Sequence, residues 1–152
     1  MKEWKRKLEE GCGQFFASVV EMALHEVPLR DVKVENKEPN LFISFRYKNL
    51  SYQVKITYGM EAFVTLVDPD PLTLAIVNSK MFQQELHDKH GDRITVYPDF
   101  KVKVGANVWT MGLGKIIVSI TDTVYKYAER IGKTLTDNPT LIDAILVSDG
   151  LD

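Results

Sequence analysis

The chain has one cysteine, Cys12, so no intrachain disulfide can form. It has no unbroken apolar run of about 18 residues, the least a helix needs to cross a bilayer, so no membrane span is expected. It lacks an excess of either charge. Its 19 basic and 21 acidic residues leave a net of −2, and that balance predicts no nucleic-acid or acidic-substrate surface. The opening Met1-Lys2-Glu3-Trp4-Lys5-Arg6-Lys7 is mixed in sign and leads into no apolar segment of signal-peptide type. With one thiol and no such leader, the expected location is the reducing cytoplasm.

Chemistry-bearing motifs are missing as well. There is no Gly-x-Ser-x-Gly elbow. Gly105, Gly112 and Gly114 do not have the spacing of a phosphate loop, and no Gly-Lys-Ser/Thr follows them. Cys12 has no recognisable base partner and sits on an apolar helical stripe, which reads as an inert thiol. His87 and His90 lie one helical turn apart with Asp92 nearby, the only metal-like cluster. Two imidazoles at a polar helix end instead suit the negative end of the helix dipole. Asp68 and Asp70, flanked by prolines, read as helix caps rather than a catalytic pair. The expectation is a non-enzyme with no catalytic residues, no metal and no cofactor.

What is present suffices for one core. At 152 residues and 45% hydrophobic content, roughly 70% of the unfolded surface can be buried without a staple, so residues 1–152 read as a single domain. Leu8, Cys12, Phe15, Val19 and Ala23 recur at helical spacing over 3–26, although Gly11 and Gly13 move the secure start to Gln14. Strands follow at 32–35, 41–47, 51–58 and 62–67. The second and third alternate apolar and polar residues with a period of two, and the short Lys48-Asn49-Leu50 link makes them a hairpin. Asp70 as N-cap and Pro71 at the first helical position open a helix over 71–87. Strands at 94–97 and 100–104 come next. Then Trp109, Leu113, Ile116, Ile120, Val124, Tyr127, Ile131 and Leu135 trace a long helix, and a last short one spans 140–147. This order predicts an α+β fold: an antiparallel sheet of five or six strands with N-terminal, middle and long C-terminal helices packed on it. Ile43, Phe45, Val54, Ile56, Val64, Leu66, Leu74, Ile116, Ile120 and Val124 are the expected core.

Two segments carry a resemblance. Asp70-Pro71-Leu72-Thr73-Leu74-Ala75-Ile76-Val77-Asn78-Ser79-Lys80-Met81 is similar to the acidic turn and Leu-rich helix of the sterol carrier protein family, with Ser79 where that family has glycine. Lys101-Val102-Lys103-Val104, followed by Asn107 and Met111-Gly112-Leu113, resembles the same family's Lys-apolar-Lys strand and the start of its last core helix. The resemblance implies non-covalent binding of a lipid-like ligand between sheet and helices. Phe63, Leu72, Ile76, Trp109, Met111, Leu113 and Ile117 are the expected walls. The Trp109-to-Gly114 run supplies adaptable apolar contact beside glycines that allow close approach. At about 0.8 kcal/mol per buried methylene, an acyl chain needs no charged anchor there. Lys101 and Lys103 could meet a headgroup or simply face solvent. The alternative function is a homodimeric, protein-binding module resembling the small acidic chaperones of secretion systems. It draws on a pI near 5.9 and on the apolar stripe from Leu113 to Leu135.

Overall fold

A computed structural model describes residues 3–137. The first amphipathic stretch forms two helices, α1 (Glu3–Cys12) and α2 (Gln14–Ala23). The break falls at Gly13, whose φ of 89° is costly for any residue with a side chain. Four strands follow: β1 (Arg30–Lys37), β2 (Asn40–Tyr47), β3 (Leu50–Ile56) and β4 (Ala62–Leu66). Helices α3 (Pro71–Asn78) and α4 (Lys80–His90), strands β5 (Ile94–Tyr97) and β6 (Lys101–Val104), and helix α5 (Ala106–Asp137) complete the order. The six strands make one sheet in the order β1-β2-β3-β4-β6-β5, with every neighbouring pair antiparallel. The fold is therefore α+β with six strands and a long C-terminal helix. Among the described residues, no helix is long and apolar enough to cross a membrane.

The period of two places Ile43, Phe45, Tyr52, Val54, Ile56, Val64, Val102 and Val104 on one face of the sheet, all buried. Helices cover that face. Leu113, Ile116, Ile117, Ile120 and Val124 of α5 and Ala17, Val20 and Ala23 of α2 belong to the same core cluster. The first half of the α5 stripe is thus consumed internally. Two polar contacts fix its register. The Trp109 indole N–H donates to the Met60 carbonyl at 2.8 Å. The Tyr52 hydroxyl lies 2.7 Å from Thr121 Oγ1, which itself donates to the Ile117 carbonyl at 2.8 Å, so the tyrosine is the donor in its pair.

The middle helix departs from expectation. Asp70 caps it as the sequence predicts, accepting from the Thr73 N–H at 2.8 Å and the Thr73 hydroxyl at 3.1 Å. Ser79, however, is extended (φ −73°, ψ 146°) and divides the segment in two. Its hydroxyl donates to the Ile76 carbonyl at 2.7 Å and accepts from the Phe82 N–H at 3.3 Å, which closes one helix and caps the next. The interruption resets the helical phase. Val77, Phe82 and Leu86 point inward, while Leu74 is 39% and Met81 62% exposed. Leu74 is therefore not core, and Leu66 is only half-buried. The expected helix over 140–147 lies outside the described residues.

Candidate functional site

The seven expected ligand-wall residues do not come to one place. Ile76, Trp109, Leu113 and Ile117 are fully buried in the core cluster, packed among sheet and helix side chains. Leu72 packs against its edge, half-buried. Met111 turns outward from α5 and is 83% exposed. Phe63 is on the other face of the sheet, because its neighbours Ala62 and Val64 take the buried positions of β4. The glycines behave differently from one another too. A Cβ on Gly114 would lie 3.2 Å from the Ala23 carbonyl oxygen and 3.3 Å from Val27 Cγ2, so its close approach is to the end of α2 and the residues after it.

Two open grooves border α4. One, about 630 Å³, runs between α4 and β5 and is lined by polar side chains including Lys80, Gln83, Gln84, His87 and Asp92. The other, about 340 Å³, is lined by His90, Arg93, Asn107, Met111 and Lys115, and takes in only Met111 of the expected walls. The two histidines thus serve different surroundings. His90 Nε2 hydrogen-bonds Ser119 Oγ at 2.9 Å, and burial, with Arg93 and Lys89 nearby, pushes its imidazole below its ordinary pKa. Among the described residues, no three His, Cys, Asp or Glu side chains converge as a metal site would need. Burial, aided by Glu38, raises the Cys12 thiol, which disfavours the reactive thiolate.

The open face of the sheet has the more ordered arrangement. Strand register assigns it Arg30, Lys33 and Lys37 on β1, Arg46 on β2, Lys55 on β3, and Lys101 and Lys103 on β6, against a single strand carboxylate, Glu35. Seven basic groups against one strand carboxylate, with Glu61 of the adjoining turn, stand out on one face of a chain of net −2. Aromatic rings lie between them. The ammonium of Lys37 is 5.8 Å from the Phe42 ring centre, and that of Lys55 is 5.0 Å from the Phe63 ring centre. Lys101 reaches Phe63 at 5.5 Å and Tyr97 at 5.0 Å. Phe42 and Lys55 are direct cross-strand partners, as are Lys101 and Tyr97. In sheet order, each strand supplies one member of an alternating series: Lys37, Phe42, Lys55, Phe63, Lys101, Tyr97.

Acidic residues lie within this face as well as at its corner, for Glu35 is the direct cross-strand partner of Phe42. Glu35 pairs with Lys37 at 3.1 Å. Glu61, in the turn before β4, pairs with Lys103 at 3.2 Å and raises that ammonium's pKa through the hydrogen bond. The link carrying Asp68 and Asp70 borders Arg46 and Ser51 at one corner. Sequence reasoning placed Lys101 and Lys103 on a polar strand face but gave Phe63 to the interior. The available signal was the alternation in Ala62-Phe63-Val64, where both parities are apolar and the smaller residues face the core.

Searches against protein-family models, curated proteins and solved structures give no match.

Proposed function

We propose that this protein is a non-catalytic binding module whose working surface is the open face of its sheet and whose partner is a polyanion. The observation that carries the reading is the concentration of seven basic side chains on one face of the sheet, only two of them paired with carboxylates (Lys37 with Glu35, Lys103 with Glu61), in a chain that is net acidic. Net charge averages over the whole surface, whereas a partner meets one face, and like charges gathered there raise the local potential it feels. Lysine stems lying over aromatic rings also hold the ammonium groups at the surface at little cost in rotamer entropy. A surface site is further supported by the solid packing of Ile76, Trp109, Leu113 and Ile117, since a ligand between sheet and helices would have to displace core side chains.

Heparin chromatography in a salt gradient tests this directly. The protein is expected to be retained at low salt, and a Lys33→Gln/Lys55→Gln/Lys101→Gln variant with an unchanged circular dichroism spectrum is expected to elute substantially earlier. Retention that is the same in the variant, or absent in the parent, would overturn the reading.

A further inference from the structure

We propose that the polyanion is a single-stranded nucleic acid, bound across the strands with its bases on Phe42 and Phe63 and its phosphates on Lys37, Lys55 and Lys101. This rests on the polyanion reading above and adds the identity of the partner.

Charge alone would accept any polyanion; the order of the series discriminates. Cation and ring alternate from β1 to β5 along a path with one side chain from each strand, which is in direct register from Phe42 through Lys55 to Phe63 and steps to the next same-face position at Lys37 and at Lys101. A single strand of nucleic acid presents the complementary alternation, a negative phosphate and a flat base in each nucleotide. Bases stack on aromatic rings without regard to their identity, and the backbone follows positive charge. Phe63 is the strongest platform, since Lys55 and Lys101 approach its ring at 5.0 and 5.5 Å from the strands on either side. Either lysine can swing from the ring to a phosphate while the ring takes a base. The sheet is wide enough: five strand-to-strand steps of about 4.8 Å give about 24 Å, room for several nucleotides and far more than one small anion needs. A duplex keeps its bases stacked inside and offers the rings nothing. An acidic peptide or a sulfated sugar supplies charge without a π face, leaving Phe42, Phe63 and Tyr97 unused.

The test uses the full chain with labelled oligouridine, labelled oligothymidine, a DNA duplex, heparin, and vesicles of phosphatidylserine in phosphatidylcholine. Single strands are expected to bind more tightly than the duplex, with affinity falling as salt rises. Phe63→Leu is expected to weaken oligouridine or oligothymidine about tenfold, within the range for losing one stacked base. Phe42→Leu should add to this, while heparin retention stays at the parent's level in both variants. The unchanged heparin retention also reports that the variants are folded. Equal affinity for single strand and duplex, or indifference of single-strand binding to both Phe variants, would overturn the assignment while leaving the polyanion surface intact. Preference for the vesicles would overturn it in favour of an anionic bilayer. Failure to bind heparin or any nucleic acid would remove both readings together.

Discussion

Single side chains show how local chemistry serves this fold. Glu85 on α4 accepts hydrogen bonds from Lys126 and, at 3.2 Å, from Tyr127, both on α5, and it pairs with Lys89 at 3.1 Å. The Lys126 hydrogen bond foremost, with Lys89 and Tyr127, holds its carboxyl down to about 2 from an ordinary 4.5, against the opposing effect of burial. A carboxyl with a lower pKa folded than unfolded stabilises the protein fully above the unfolded value and loses that contribution as pH falls through the folded one. The pairing of α4 with α5 should therefore weaken between about pH 4.5 and pH 2. Glu85→Gln is expected to cost about 1 kcal/mol at neutral pH, since solvent screens a partly exposed cluster. It should also flatten the acid limb, and urea titrations at a series of pH values measure both effects. An acid limb identical to the parent's would show that Glu85 does not couple these helices. The Asp70 cap was legible in the sequence because capping involves only the four consecutive residues from Asp70 to Thr73. The Glu85 cluster was not, because Lys126 and Tyr127 are about forty positions away and meet it only when α5 crosses α4.

At the scale of elements, periodicity revealed the strands and helices, while helix ends and crossings depended on their partners. The division at Ser79 is a case where the serine closes one short helix and caps the next. Continuing the first phase would bury Met81; resetting it buries Phe82, which packs edge-on against Phe100 and Tyr127 at 5.8 Å each. Gly114 is a second case. Its place in the apolar Trp-Thr-Met-Gly-Leu-Gly run suggested approach to a ligand, yet a Cβ there would crowd the Ala23 carbonyl at the end of α2 and the Val27 side chain. Gly114→Val is expected to destabilise the protein by about 1–3 kcal/mol, the usual cost of overpacking. Gly105→Ala, where nothing lies within 4 Å of the added carbon, should change stability far less. Chemical unfolding of the two variants side by side measures the contrast. Equal stabilities would mean that α5 and α2 can separate at little cost.

For the whole molecule, one core cluster runs from Trp4 and Leu8 on α1 through strands β2 to β6 to Val124 on α5, with Val32 and Val34 of β1 packed at its margin. A continuous core of this kind is expected to unfold in one cooperative step. Tryptophan fluorescence reports Trp4 and Trp109 together, and far-ultraviolet circular dichroism reports the helices and sheet. The two should give coincident midpoints in guanidinium. Separated midpoints would show that α1 and α2 come away from the sheet as an independent unit. The sequence by itself determined the α+β class, the antiparallel hairpins, the Asp70 cap and the inward parity of β2 and β3, because each follows from spacing or chemistry within a few residues. Tertiary structure alone decided the rest. Val102 and Val104 of β6 bury completely while Val96 of β5 stays half-covered, so β6 takes the inner place beside β4 and β5 becomes the edge. That order brings Lys101 to Phe63. Strand order is set by which apolar face buries more against residues far along the chain, and no local pattern records that competition.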